Sequence, residues 1–223
     1  MAERSAGARF PQRVVVFDFD GTIANTMPAI FRFVRATVAE AGMPEPREEQ
    51  LRAMIGPPLV EGFQTAFGVT PEQAAVLTER YRAIMEQGVT PADYPAYEGV
   101  PELLRDLKGR GRRLAVASSR QERSLVPMVR TLGLDTCFEV VVGGVDGVRH
   151  TKAEAIRAAL DALGAAPVEA VMVGDRFHDV EGAHEVGMPC IGFYSGTSAP
   201  GELEAAGADA VCTGVRELAS ALM

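Results

Sequence analysis

The sequence predicts an α/β fold: a doubly wound parallel sheet with an inserted helical cap domain. Three observations in the 223-residue chain predict it. The first is a series of short runs rich in valine and alanine, separated by stretches of helical periodicity, the pattern of strands buried on both faces with crossover helices between them. The second is that several of these runs end in carboxylates or hydroxyls, which would collect polar groups along the carboxyl edge of one sheet. The third is a block after the first run that carries only helical signals and is too long for an ordinary strand-to-helix connection.

The first strand is Val14-Val15-Val16-Phe17, followed at once by Asp18-Phe19-Asp20-Gly21-Thr22. Asp18 and Asp20 are two residues apart, so an extended chain would point both the same way. Gly21 lets the backbone turn and frees amides for an anion, with Thr22 beside it. A lone Asp-Gly pair reads as a turn closing a strand; this longer run behind a buried strand reads as a site.

Asn25-Thr26-Met27-Pro28 then supplies a helix start, and Ala29 to Ala41 reads as helix, stopped by Gly42-Met43-Pro44. Helical signals continue over Glu48 to Ile55, Leu59 to Phe67, and a long helix opened by Thr70-Pro71 and running through Gln87. Residues 26–96 are therefore assigned to the helical cap, which leaves 1–25 and 97–223 for the α/β core. Within the cap, Ile55-Gly56-Pro57-Pro58 is a tight, rigid break: Gly56 permits an unusual turn and the prolines fix the chain.

The core resumes at Tyr97-Glu98-Gly99-Val100-Pro101, with Leu103, Leu104 and Leu107 on one helix face. Strands are expected at Leu114–Ala117, Phe138–Val142, Ala170–Val173, Cys190–Phe193 and near Asp209–Cys212. Helices between them run to Leu132, from Lys152 to Leu163, to Val186, and from Val215 onward. The Gly/Ala-rich stretch from Ser198 to Ala210 reads as a surface helix and turn.

Four of these places carry groups with chemistry. The strand ending Ala117-Ser118-Ser119-Arg120 offers two hydroxyls and a guanidinium, which suit phosphoryl oxygens; Ser119 as a plain helix N-cap with Arg120 exposed is the competing reading. Lys152 opens a helix in His150-Thr151-Lys152-Ala153-Glu154, where a cation opposes the helix dipole unless an anion is near. Val173-Gly174-Asp175-Arg176-Phe177-His178-Asp179 places two carboxylates one helical turn apart. Asp179 could equally be a charge satisfied at a helix N-terminus. His178 and His184 lack the spacing and the soft partners of a zinc site.

Composition narrows the setting. An apolar fraction of 47% supports a real core, and a formal charge of −8 argues against nonspecific binding to nucleic acid or anionic membrane. No apolar run approaches a bilayer span, and Met1 to Pro11 has no apolar signal core. Cys137, Cys190 and Cys212 are odd in number and far apart, as reduced core thiols would be. The expectation is a soluble cytoplasmic monomer or homodimer, with no nucleic acid and no membrane as partner.

Asp18 to Thr22 resembles the first signature of the haloacid dehalogenase superfamily of phosphotransferases and phosphatases. Ser118, Lys152 and the Gly174-Asp175 to Asp179 segment extend the resemblance over nearly the whole chain. It implies a Rossmann-like core with a helical cap, and a phosphatase that works through an aspartyl-phosphate. Asp18 would be the nucleophile. Asp20 would carry a proton to the leaving oxygen, which requires its carboxyl to be raised by burial and neighbouring carboxylates. Ser118 and Lys152 would hold the phosphoryl group, with Gly21, Thr22, Ser119 and Arg120 also facing substrate. Hard oxygens from Asp18 and Asp175, with a backbone carbonyl at Asp20 and Asp179 as an auxiliary ligand, suit magnesium. Relatives with this cap place a substrate-facing loop near the position of Gly56.

The chain departs from the pattern in two places: Ala153 follows Lys152 where the family has proline, and Asn25-Thr26 stands where relatives have Asp-Ser. Dehalogenases of the family lack the second aspartate, so Asp20 argues for phosphate chemistry. The cap position and Gly174-Asp175-Arg176 resemble phosphoglycolate phosphatase, while Gly147 to Ala155 is similar to a nucleotidase branch. A nucleoside 5'-monophosphatase or a sugar-phosphate mutase is the enzymatic alternative, and a phospho-accepting receiver module the non-enzymatic one.

Overall fold

A computed structural model describes residues 9–223. The chain opens on β1 (Val14–Phe17), whose side chains are all buried, as a strand covered on both faces requires. It continues through α1 (Met27–Glu40), α2 (Glu48–Arg52), α3 (Leu59–Phe67) and α4 (Pro71–Gly88). Strands and helices then alternate: α5 (Val100–Gly109), β2 (Arg113–Gln121), α6 (Glu122–Thr131), β3 (Val140–Gly144), α7 (Lys152–Leu163), β4 (Ala170–Gly174), α8 (Phe177–Glu185), β5 (Cys190–Phe193), α9 (Glu202–Ala205), β6 (Ala210–Cys212) and α10 (Val215–Leu222).

Among the described residues the six strands form one sheet in the order β3-β2-β1-β4-β5-β6, with every pairing parallel. The winding direction reverses between β1 and β4, the place where open α/β sheets bind ligands outside their strand carboxyl ends. One side of the sheet is sealed by α7, whose Ile156, Ala159 and Leu160 join Val14, Val16, Ala117 and Met172 in a continuous core. A buried leucine or valine of this kind contributes about 1.5–3 kcal/mol. Cys137, Cys190 and Cys212 are free and buried. No helix among the described residues is long and apolar enough to cross a membrane.

Two strands, β2 and β3, depart most from what the sequence suggests. The valine-alanine run ends at Ala117, yet β2 continues to Gln121, because its register with β3 shifts between Ala117 and Gln121 and pairing resumes at Gln121 and Gly144. Such an irregularity bends the strand and keeps its polar end in the ladder. Ser119 consequently lies in the strand and is not the N-cap of α6, a position taken by Gln121. The third strand starts at Val140 and not Phe138, whose ring instead packs edge-on against Phe17 at 6.5 Å.

The chain folds as two compact units, one of the described residues up to Ala24 with Ala96–Met223, the other Asn25–Pro95. The second unit is helical. Gly68, at φ +65°, ends α3, and Thr70 starts α4 through a reciprocal cap in which the Gln73 amide donates to its hydroxyl and Gln73 Oε1 accepts from its backbone N–H. Its core gathers Phe33, Leu51, Phe63 and Tyr81. Phe63 is fully buried, 5.9 Å from the Phe67 ring and 6.4 Å from that of Tyr81. Gly56 lies between α2 and α3 at φ +102°, a conformation open to glycine and strained for other residues.

Because each unit has its own core, Phe63→Ala should lower the stability of the helical unit by about 3–5 kcal/mol. Amide hydrogen exchange should accelerate over residues 25–95 while β1, β2 and β4 keep their protection; equal acceleration in both would show a single cooperative core.

Candidate active site

Strand register brings the polar groups together. Phe17 pairs with Val116 on one side and Val173 on the other. The residues just past those positions, Asp18, Ser118 and Asp175, therefore leave neighbouring strands at one edge. Lys152, the first residue of α7, reaches the same point. Its Nζ lies 2.7 Å from Asp18 Oδ1 and 2.8 Å from Asp179 Oδ1, and donates to the Ala117 carbonyl at 3.3 Å. This resolves the cation at a helix N-terminus: the opposing dipole is answered by two carboxylates. Burial alone would pull the Lys152 ammonium down, but Asp179 and Asp18 more than reverse that and hold it above its ordinary value.

Asp18, Asp175 and Asp179 are all buried, and an oxygen of each lies within 4.8 Å of the others. The carboxylate of Asp20 is outside this cluster. Burial pushes Asp18 up to about 6 against the pull of Lys152, with Asp179 and Asp20 adding to the rise. Burial likewise raises Asp175, helped by Asp179 and Asp18. Three carboxylates against one ammonium leave a buried excess of two negative charges. Among the described residues, no hydrogen-bond donor other than the Lys152 ammonium reaches Oδ1 of Asp18 or Asp179. A cluster of hard oxygens with that excess fits a divalent cation of the magnesium type.

The turn after β1 explains the placement of Asp175. Gly21 sits at φ +81°, and a Cβ there would fall 2.1 Å from Asp175 Oδ2. Only glycine lets the backbone come so close. Thr22 donates its hydroxyl to Asp175 Oδ1 at 2.9 Å, and Thr197 donates to Oδ2. Gly174 serves Asp179 in the same way, since a Cβ there would lie 2.2 Å from its carboxyl carbon. Asp179 Oδ2 in turn accepts from the Arg176 amide at 3.0 Å, so this residue both caps α8 and fixes Lys152.

Asp18 and Asp20 do not point the same way as an extended chain would have them. The strand ends at Phe17, and the chain bends at Phe19 before Asp20. Asp18 goes to Lys152, whereas Asp20 receives the guanidinium of Arg120, Nη2 to Oδ1 at 2.6 Å and Nε to Oδ2 at 2.9 Å. Such a two-point ion pair fixes orientation as well as charge. The fork expected on phosphoryl oxygens thus rests on Asp20. Ser118 is fully buried and its Oγ accepts from the Arg120 amide at 3.3 Å; Ser119 is half-buried beside it. Burial, with Arg176 adding, lowers His178 to about 4, so it is neutral and no charged partner at the site. Gly56 belongs to the other unit.

Thr197, Ser195 and Tyr97 are the residues that the sequence reading passed over. Ser195 Oγ lies 3.1 Å from Thr197 Oγ1, and the Tyr97 ring packs edge-on against Phe193, two residues before Ser195. A signal existed: Tyr194-Ser195-Gly196-Thr197 follows an apolar strand just as Ser118-Ser119 does.

Residues 15–193 match the family of haloacid dehalogenase-like hydrolases. A 5'-nucleotidase of Pseudomonas aeruginosa is 36% identical over 204 residues, covering 91% of this chain and 90% of that protein. A protein named tyrosine-protein kinase PtkA, from Mycobacterium tuberculosis, is 34% identical over 197 residues; the match covers 84% of this chain, which spans 63% of that protein's length. Among solved structures, a predicted phosphatase from Clostridium acetobutylicum superposes with a TM-score of 0.88 at 30% identity, covering 94% of this chain and 97% of that one.

The buried charge excess has a pH signature in metal-free protein. Asp18 rises from 3.8 to about 6 on folding, so its contribution to stability is complete below about pH 4 and lost as pH rises through about 6. Between about pH 5 and about pH 7.5 in chelator, the wild type should lose about 1–1.5 kcal/mol relative to Asp18→Asn. Urea denaturation at the two pH values measures it; a difference that does not change with pH would contradict the assignment.

Proposed function

The chain belongs to the haloacid dehalogenase-like hydrolase family, and from that premise we propose that it is a magnesium-dependent phosphatase working through an aspartyl-phosphate at Asp18. That it is a phosphatase acting on small phosphorylated substrates follows from the family and from its phosphatase relatives. The observation that carries the finer reading is the Lys152 ammonium held between Asp18 and Asp179 beside Asp175, at the carboxyl edge where the sheet reverses.

In this reading Asp18 attacks phosphorus in line, forming an Asp18 O–P bond as the P–O bond to the alcohol breaks and Asp20 gives the departing oxygen a proton. Water then attacks the same phosphorus, its proton passes to Asp20, and the Asp18 O–P bond breaks to release phosphate. Lys152 and Ser118 hold the phosphoryl oxygens, with the turn at Gly21 and Thr22 and the nearby Ser119. Arg120 orients Asp20 by its two-point ion pair, which must open for Asp20 to take up the proton it delivers to the leaving oxygen. Asp179 fixes Lys152. Magnesium, held by Asp18, Asp175 and the backbone carbonyl of Asp20, supplies positive charge that offsets the repulsion between phosphoryl oxygens and buried carboxylates. The helical unit acts as the cap, and the Gly56 turn discriminates among the organic parts of substrates.

Within small phosphorylated metabolites, a nucleoside 5'-monophosphate is the substrate favoured by the 36% identical relative named as a 5'-nucleotidase. A phosphoglycolate-like acid, from the resemblance in the cap and in Gly174-Asp175-Arg176, is the second candidate.

Phosphate release from a panel of nucleoside monophosphates, phosphoglycolate and sugar phosphates tests this directly. Turnover should require magnesium, stop in excess chelator and recover poorly with calcium. Asp18→Asn should cost about a thousandfold or more, and Asp20→Asn about 10²- to 10⁴-fold, with the smaller loss for an aryl phosphate whose leaving group needs no proton. Full turnover in chelator would refute the metal requirement. A preference for phosphoglycolate over every nucleotide would move the substrate to the second reading.

A further inference from the structure

Asp175 is held from both sides by hydroxyls that come from opposite ends of the sequence. Thr22 donates to Oδ1 at 2.9 Å from the turn after β1, and Thr197 donates to Oδ2 from the loop after β5. The residue is wholly buried. Behind Thr197 the contacts continue to Ser195 Oγ at 3.1 Å. The Tyr97 ring is set edge-on against Phe193 of β5, its centroid 6.5 Å away.

Hydrogen-bond accounting fixes the direction of this chain when Asp175 is ionised. A carboxylate has no proton to give, so Thr197 must donate, and its one proton is then spent. The contact with Ser195 must then be donated by Ser195. Each carboxylate oxygen keeps lone pairs for a cation while neither oxygen can swing away, and the Gly21 backbone closes the remaining side.

We propose that Thr197 is a positioning residue that locks the Asp175 carboxylate in the orientation needed to hold the divalent cation, with Ser195 keeping its hydroxyl aimed. Magnesium accepts little deviation from octahedral geometry, so a ligand free to rotate loses affinity. Groups that orient ligands in this manner typically change metal affinity by about 10- to 100-fold when removed. The proposal rests on the metal reading above.

The experiment titrates the intact protein with Mn²⁺ alone and counts free ion by electron paramagnetic resonance. Thr197→Val keeps the shape of the side chain and removes its hydroxyl; it should weaken binding by about 10- to 100-fold, and Thr197→Ser should restore it. At saturating metal the Thr197→Val enzyme should regain most of its kcat, so the defect lies in metal concentration dependence. Equal Mn²⁺ affinity in wild type and Thr197→Val overturns the proposal, as does failure of Thr197→Ser to rescue. If Thr197→Val does not fold, Ser195→Ala decides: weaker Mn²⁺ binding supports the chain of donors and unchanged binding overturns it. A wild type that binds no Mn²⁺ would overturn the metal reading itself, and this inference with it.

Discussion

Three buried carboxylates share one ammonium at the carboxyl edge of the sheet, and much of the local structure answers to that imbalance. At separations within 4.8 Å, each like-charged pair repels by roughly 3 kcal/mol at an effective dielectric of 20. Lys152 meets two of the three, and hydroxyls from Thr22 and Thr197 meet the third. What remains is a site with excess negative charge that nonetheless has to receive an anion. A phosphatase can work there when a divalent cation offsets the excess, which is why the same geometry supports both the metal and the reaction.

The fold delivers this cluster by register and by the absence of side chains. Parallel pairing aligns Phe17 with Val116 and Val173, so residues one or two positions further emerge side by side. Gly21 and Gly174 then admit carboxylates to places where any Cβ would overlap them. The Asp20–Arg120 pair stands apart from the cluster and is neutral in itself. That separation gives the two aspartates of one short motif different surroundings: Asp18 faces the buried charge excess, and Asp20 faces a guanidinium.

Most of the α/β framework was legible because valine-rich strands and capped helices are local signals: α3, α7 and β5 begin and end where their patterns do. Asp175 and Asp179 were legible as carboxylates following an apolar run, and Lys152 as a cation at a helix N-terminus that calls for a nearby anion. What was not legible depends on contacts distant in sequence. Nothing near Arg120 announces that it will fork onto Asp20, 100 residues away, and nothing near Thr197 announces Asp175. The extension of β2 to Gln121 was hidden for a related reason, since it follows from a shift in pairing with β3 and not from side-chain polarity. The bend after Phe17 likewise overrode the simple alternation that aimed Asp18 and Asp20 together.

The claim on which the functional account turns is that Asp18 itself carries the phosphoryl group. Acid quenching during turnover, followed by borohydride, reduces an aspartyl-phosphate to homoserine, and peptide mass spectrometry reads the residue changed. The account predicts homoserine at position 18 with magnesium and substrate, its loss when substrate is omitted, and no conversion at Asp20, Asp175 or Asp179. Conversion at another aspartate, or turnover with position 18 unchanged under conditions that trap an aspartyl-phosphate standard, would contradict it.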